Sequence, residues 1–343
     1  MMLRHRVGWG IVGTGRVAGI FASDIRALSG AELVAVASRT EENARAFAAR
    51  HCIPRRYGSW ARLAEDPDVE VVYVATPHAA HHAATTLMLD AGKAVLCEKP
   101  MTLDAAQAND LATRAQRHGI FLMEAMWTRC LPAIRRMTEM IKAGAIGEPR
   151  LLTADLGIKA PSDRRHRLWI PDLGGGALLD TGVYLASFAR MILGPPTAVT
   201  ASATLTADGV DATTTFTLSH ADGAMAALAC SIVTDSARGA VISGSEGRIL
   251  LPRRFYASAG FELWRGEELT ERVHAPYIGH GLAHEAAETM RCREAGLTQS
   301  PLIPLAETAG VLGTLDQVRA LIGVDYPMTR VAEGGNERDA GGG

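Results

Sequence analysis

The stretch Val7-Gly8-Trp9-Gly10-Ile11-Val12-Gly13-Thr14-Gly15-Arg16-Val17-Ala18 decides the fold class of this chain. An apolar, strand-like run, Val7 to Val12, ends in Gly13-x-Gly15-x-x-Ala18, and a helical pattern opens at Arg16 and continues to Leu28. A glycine motif of this form means little alone, but between a strand and a helix it marks the phosphate turn of a dinucleotide-binding unit. Gly13 suits the tight turn, Gly15 lets the backbone approach a pyrophosphate, and Ala18 is small enough for close packing of helix on strand. The helix N-terminus then turns free N–H groups and a positive dipole end towards the phosphates. Gly13, Thr14, Gly15, Arg16 and Val17 are therefore expected to line a cofactor site.

Outward from this turn, apolar runs alternate with helical patterns. Glu32 to Ala37, Val69 to Ala75, Ala94 to Cys97 and Ile120 to Met123 read as strands, and Glu41 to His51, Ala79 to Ala91 and Asp104 to His118 as helices. That alternation predicts an α/β, doubly wound Rossmann domain over residues 1–125. After about residue 148 the pattern changes to strands with few helices between them: Pro149 to Ile158, Ala198 to Leu205, Ala212 to Leu218, Met225 to Ser231, Arg238 to Ser243 and Gly247 to Leu251. His220-Ala221-Asp222-Gly223 and Gly244-Ser245-Glu246-Gly247 have hairpin chemistry. Residues 126–330 are expected to form an α+β domain on an open, mostly antiparallel sheet, with helices at Leu178 to Leu193, Gly281 to Glu294 and Leu305 to Ile322. The glycine-rich stretch 331–343 reads as a disordered tail.

Composition narrows the function. The chain has 343 residues, more than one core usually serves, and is 48% hydrophobic, 21% charged and only 5% aromatic. Its net charge of −2 gives no electrostatic reason to bind nucleic acid or an anionic membrane, so a small-molecule partner is expected. The five cysteines form no CxxC pair, which fits reduced thiols. No apolar run reaches the ~18 to 20 residues of a membrane helix, and the N-terminus reaches the glycine turn before a signal-peptide core could form. A cytoplasmic protein is the expectation.

Four further segments carry chemistry. The second strand ends in Ser38-Arg39, where an acidic residue would hold the ribose 2′-hydroxyl of NAD. A hydroxyl followed by a guanidinium suits a 2′-phosphate, so NADP is expected over NAD. The alternative is that Arg39 is solvated and Glu41 or Glu42 serves the ribose. Thr76, Pro77, His78 and His81 follow the strand Val69 to Ala75 at the carboxyl edge, where ligands bind in such sheets, and are expected at the cofactor. His78 and His82 share a helical face, but with no acidic or third ligand nearby no metal is expected.

Glu98-Lys99-Pro100 follows the next strand, one short loop from where a nicotinamide would lie. Glu98 is read as a cofactor contact. Lys99 is read as a catalytic group able to hydrogen-bond a substrate oxygen as it gains or loses a proton, with a surface charge as the alternative. In the second half Gly174-Gly175-Gly176 opens a helix with Asp180 and Tyr184 at i, i+4. Tyr184 is expected to donate or accept the proton and Asp180 to orient the substrate, unless Asp180 only complements the helix dipole. With an ordinary pKa near ~10, Tyr184 would need a neighbouring ammonium such as Lys99 to act as a base near neutrality.

Together, Gly13-x-Gly15-x-x-Ala18, Thr76-Pro77 with His81, Glu98-Lys99-Pro100, Met123 to Arg129 and Gly174 to Tyr184 resemble, in order and spacing, the Gfo/Idh/MocA oxidoreductases over residues 5 to 325. Ala94 to Met101, Phe121 to Arg129 and Gly175 to Tyr184 are most similar to the subgroup of dimeric dihydrodiol dehydrogenases and NADP-dependent D-xylose dehydrogenases. The resemblance implies an active site in the cleft between the two domains and pairing of sheet faces into homodimers or homotetramers. It implies that Lys99 and Tyr184 serve the proton transfer. It puts Trp127 against nicotinamide or substrate, an ordinary core Trp being the alternative, and Arg167 near the cleft mouth as a substrate contact. The activity implied is NADP-dependent hydride transfer at a secondary hydroxyl of a sugar, cyclitol or trans-diol. Redox-assisted elimination or hydrolysis of a glycoside, and a non-catalytic nucleotide-sensing regulator, are alternatives the same resemblance leaves open.

Overall fold

The computed structural model describes residues 6–326, so the expected tail at 331–343 lies outside the described residues. The first sheet is built from β1 (Val7–Val12), α1 (Arg16–Asp24), β2 (Ala31–Ala37), α2 (Glu41–Arg50), β3 (Arg55–Tyr57), α3 (Trp60–Ala64), β4 (Val71–Val74), α4 (His81–Asp90), β5 (Ala94–Glu98), α5 (Ala105–His118) and β6 (Leu122–Ala125). Its strands are parallel in the order β3-β2-β1-β4-β5-β6. The order reverses between β1 and β4, which opens a crevice at their carboxyl ends. β4, β5 and β6 are buried along their whole lengths, the mark of strands covered on both faces. β3 and α3 have no counterpart in the sequence reading, because Arg55-Arg56-Tyr57 is a short edge strand carrying charge.

The second sheet follows α6 (Pro132–Lys142) and contains β7 (Pro149–Gly157), α7 (Val183–Leu193), β8 (Pro196–Leu205), β9 (Asp211–His220), β10 (Met225–Ser231), β11 (Ala240–Gly244), β12 (Arg248–Leu251), β13 (Gly260–Arg265) and β14 (Glu268–His274). Its order is β14-β13-β12-β11-β7-β10-β9-β8, antiparallel except where β7 and β10 run parallel. Both hairpin turns read from the sequence are present, β9 to β10 and β11 to β12. The β13–β14 hairpin is an addition; Phe261 and Leu263 alternate inward, but the outer strand is mostly polar and exposed, with only Leu269 and Val273 half-buried. Leu152, Ala154 and Leu156 of β7 face inward beneath α7, while Leu151 and Thr153 point to the open face.

Two helices tie the sheets together. α8 (Ala283–Glu294) is led in by a loop whose His280 and Leu282 amides donate to the buried Asp24 carboxylate at the end of α1, at 2.9 and 3.0 Å. α9 (Leu305–Ile322) returns to the first sheet and packs on α5; Asp316 accepts from the Ala105 amide and Thr308 donates to Glu124 on β6. The segment Pro171–Leu193 is long and apolar enough to cross a membrane by length and composition, at a mean hydropathy of 1.2, which the sequence reading did not anticipate. It is 78% buried within the fold, as expected of a core helix.

Candidate active site

The cofactor turn is built as its sequence requires. Gly13 has φ +113°, and a Cβ there would sit 2.4 Å from the carbonyl oxygen of Ala75. Only glycine meets both conditions. At Gly15, by contrast, a Cβ would meet nothing within 4 Å, so the turn opens onto space at the start of α1. No side chain caps that helix and no acid lies in its first turn, while Ala18 is fully buried against the sheet. The Thr76 hydroxyl, buried at the end of β4, has no protein partner. Free amides, a glycine cradle and an orphaned hydroxyl fit the phosphates and ribose of a dinucleotide.

At the end of β2, Thr14 and Ser38 bring their hydroxyl oxygens within 3.4 Å, so the phosphate turn and the ribose corner adjoin. Arg39 is exposed and makes no ion pair among the described residues. Glu41, the alternative ribose ligand, faces Arg56 at 3.5 Å. Thr40 caps α2 by accepting from the Asn43 amide, which turns the chain away just after Arg39.

The histidines do three different jobs. His81 is fully enclosed, its ring nitrogens 2.7 Å from the Pro100 carbonyl and 2.9 Å from that of Thr76. Burial outweighs those carbonyls and lowers its pKa to about 4, so the neutral ring, with a single N–H, donates to one of the two carbonyls while packing between the loop after β5 and the loop after β4. His78 is likewise held neutral, by burial and then by the Arg167 charge. Its Nδ1–H donates to the Gly174 carbonyl at 3.0 Å, leaving Nε2 towards Arg167. His82 pairs with Asp110 on the surface at 2.8 Å.

The expected chemical groups converge on Asp180. Its Oδ1 accepts from Arg167 Nη2 at 2.8 Å and lies 3.5 Å from Lys99 Nζ. Lys99 also donates to the Asp180 carbonyl at 2.8 Å. Burial disfavours the Asp180 charge, but Lys99 and then Arg167 overcome it and hold the carboxyl well below its ordinary range. Arg167 thus engages Asp180 directly, a role the sequence did not disclose.

Asp180 and Tyr184 are not one turn apart on a regular helix. Leu178–Gly182 forms a π-turn, and regular α-helix begins only at Val183, a correction to the continuous helix expected from Leu178. The wider turn is common at functional sites. It is held by the buried Asp211 carboxylate, which accepts from the Leu178 amide and the Thr214 hydroxyl at 2.8 and 2.7 Å.

Tyr184 accepts a hydrogen bond from Trp127 Nε1 at 2.9 Å, so Trp127 is more than core packing. Lys99 Nζ lies over the Tyr184 ring, 4.7 Å from its centre, rather than on the hydroxyl. Burial, and then Glu98, push the phenol well above its ordinary value. The expectation that Lys99 lowers the Tyr184 pKa is therefore corrected: the ammonium faces the ring and Asp180, and the phenol stays protonated. Tyr256 completes the aromatic wall, its ring 5.1 Å from that of Tyr184 and 6.2 Å from that of Trp127. Nothing in the sequence reading pointed to Tyr256.

A parallel sheet with a glycine phosphate turn, joined to an antiparallel sheet across a lysine, aspartate and tyrosine, defines a nicotinamide-dependent oxidoreductase. Family comparison agrees: residues 7–126 match the oxidoreductase family, NAD-binding Rossmann fold, and residues 134–250 match the GFO/IDH/MocA C-terminal domain. The chain belongs to the Gfo/Idh/MocA family and is an NAD(P)-dependent dehydrogenase or reductase. It is 37% identical over 332 residues to trans-1,2-dihydrobenzene-1,2-diol dehydrogenase of Oryctolagus cuniculus, covering 93% of this chain and 100% of that one. The Bos taurus enzyme of the same name is 35% identical, with 94% and 98% covered. Among solved structures, a 3-ketoreductase from Actinomadura kijaniata in complex with NADP and TDP-benzene superposes with a TM-score of 0.82 at 27% identity, covering 93% of this chain and 98% of that one. Aldose-aldose oxidoreductase from Caulobacter crescentus shares the fold, with a TM-score of 0.85 at 24% identity over 92% and 97% of the two chains.

Proposed function

We propose that this enzyme transfers a hydride between NADP and the secondary carbinol, or the corresponding carbonyl, of a small polyol: a trans-diol, cyclitol or sugar. The observation that carries this reading is the convergence of Lys99, Asp180, Tyr184 and Trp127 at the carboxyl edge of β5, beside the crevice that the Gly13–Gly15 turn opens. The cofactor, when bound, gives or accepts the hydride at its nicotinamide; the chain's own residues manage the proton and the pose.

Tyr184, a neutral phenol in this setting, gives its proton to the substrate oxygen when a carbonyl is reduced, and the phenolate left beside Lys99 regains a proton from solvent; alcohol oxidation runs the same steps backwards, the phenol first losing its proton to solvent and the phenolate then taking that of the substrate. Trp127 fixes the direction of that O–H by occupying one lone pair of the phenol oxygen. Asp180, kept ionised by Lys99 and Arg167, accepts a hydrogen bond from a neighbouring substrate hydroxyl. This favours vicinal diols over simple alcohols. Lys99 supplies positive charge where the substrate oxygen becomes negative. Trp127, Tyr184 and Tyr256 form an apolar wall for the face of a ring. Ser38 and exposed Arg39 would hold the 2′-phosphate, and the resemblance to diol dehydrogenases supports the diol end of the substrate range.

Purified protein screened with NADP and NAD against trans-diols, inositols and aldoses, followed by absorbance of the reduced cofactor, tests this reading. Turnover of vicinal diols with NADP supports it. Product formation without net absorbance change would favour transient redox chemistry, and binding without turnover would favour a sensing role. We also propose that the open sheet face, lined mostly by uncharged residues such as Thr153, Thr200, Ser202, Thr215, Thr217 and Ala227, pairs with a second copy. Light scattering of Thr217→Arg against the parent protein tests that pairing.

A further inference from the structure

Behind the proposed site lies a carboxylic acid that the mechanism does not use. Glu285, in the first turn of α8, is 0% exposed, and neither of its oxygens meets a hydrogen-bond partner in the protein. No cation lies within ion-pair distance of it among the described residues. An unpaired carboxylate in such a place is among the most unfavourable groups a fold can hold.

Its surroundings are acidic and phenolic. Glu98 and Tyr73 face it from β5 and β4, Asp24 from α1, Glu124 from β6, and Cys130 from the turn after β6. His284 and Glu288 flank it on its own helix. Of the carboxyls facing it, Asp24 is bound by the His280 and Leu282 amides, and Glu124 by the Met101 amide and the Thr308 hydroxyl. Glu98 accepts from the Tyr73 hydroxyl through Oε1, accepts from the Lys99 amide through Oε2 at 3.2 Å, and feels the Lys99 charge. Glu285 has no such support.

We propose that Glu285 is a positioning residue: buried without partners, it carries the proton of the Glu98–Glu285 pair, so that Glu98, held by the Tyr73 hydroxyl and the Lys99 amide, alone is charged beneath Lys99 and Tyr184. Two carboxyls within each other's field share one negative charge when burial forbids two. Here the asymmetry of partners decides which one holds it. The single charge balances the Lys99 ammonium and keeps the Tyr184 proton in place, since Glu98 opposes phenolate formation more strongly than any other charge. Burial and the Glu98 charge act together to push the Glu285 carboxyl well above its ordinary range. The functional part of this inference rests on the proposed roles of Lys99 and Tyr184; the shared proton does not.

Infrared difference spectroscopy of the full chain tests it. Wild type minus Glu285→Gln at neutral pH should show the carbonyl stretch of a protonated carboxylic acid, shifting in D2O. In Glu98→Gln the same band should titrate at a pH lower by about one unit, because its charged neighbour is gone. No acid band, or a band whose titration ignores Glu98, overturns the proposal. A purely structural Glu285 would lower activity in Glu285→Gln equally at all pH values; the shared proton predicts instead a changed shape of the kcat–pH profile, and profiles that superpose after scaling also overturn it. Full turnover in Lys99→Met with the infrared result intact would count against the proposed mechanism, not against the proton pair.

Discussion

Asp211→Asn should stabilise the protein progressively as pH rises, relative to wild type. Asp211 is fully buried beneath the π-turn, with Oδ2 accepting from Leu178 and Thr214 and Oδ1 lacking a partner. Burial raises its pKa from 3.8 to about 6. A carboxyl raised in the folded state contributes stability that is present below the unfolded value, near 4, and is lost as pH rises through about 6. A shift of about two units corresponds to roughly 3 kcal/mol in all, most of it lost between pH ~4 and ~7. Asparagine keeps an oxygen for both donors and does not ionise. The Tm of Asp211→Asn minus that of wild type, by differential scanning fluorimetry in matched buffers, should therefore grow by roughly 5 °C from pH ~4 to ~7. Groups that titrate in both proteins cancel in the difference. A difference that is flat with pH, or that shrinks as pH rises, refutes the reasoning.

Arg39→Ala should raise the KM for NADP about 10-fold, the lower end for a charge-assisted contact at an exposed position, and leave that for NAD within about twofold; equal changes for both would remove Arg39 from the 2′-phosphate. Gly13→Ala combines a left-handed φ with a Cβ 2.4 Å from the Ala75 carbonyl, so it should abolish measurable nucleotide binding in a fluorescence titration and lower Tm. Trp127→Phe removes the 2.9 Å donor to the Tyr184 oxygen and should reduce kcat about 10-fold in steady-state assays, with little change in cofactor affinity.

The cofactor half was legible because its signal is local. Strand, glycine turn and helix lie within Val7 to Ala18; Gly13 answers a backbone demand visible in the structure, and Gly15 leaves the turn open to space. Lys99, Asp180 and Tyr184 were legible as residues, since each sits at a sheet edge or behind a glycine turn, and the structure brings all three together. Their electrostatics were not. The position of Lys99 over the Tyr184 ring, and the Arg167–Asp180 pair, depend on how the π-turn rotates Asp180, and nothing in Leu178 to Gly182 announces a π-turn. Asp211 and Glu285 were silent for another reason: a buried acid looks like a surface acid until the fold encloses it. β14 was unread because a mostly exposed edge strand with only Leu269 and Val273 half-buried keeps too little alternation to detect.

Turnover of Lys99→Met tests the central claim most directly. Methionine keeps the length and apolar stem of the side chain but removes the charge that meets Asp180 and the Tyr184 ring. The account predicts kcat for NADP-linked diol oxidation lower by about 10²-fold or more, with the dissociation constant for NADPH within about twofold of wild type. Turnover within a few-fold of wild type would contradict it.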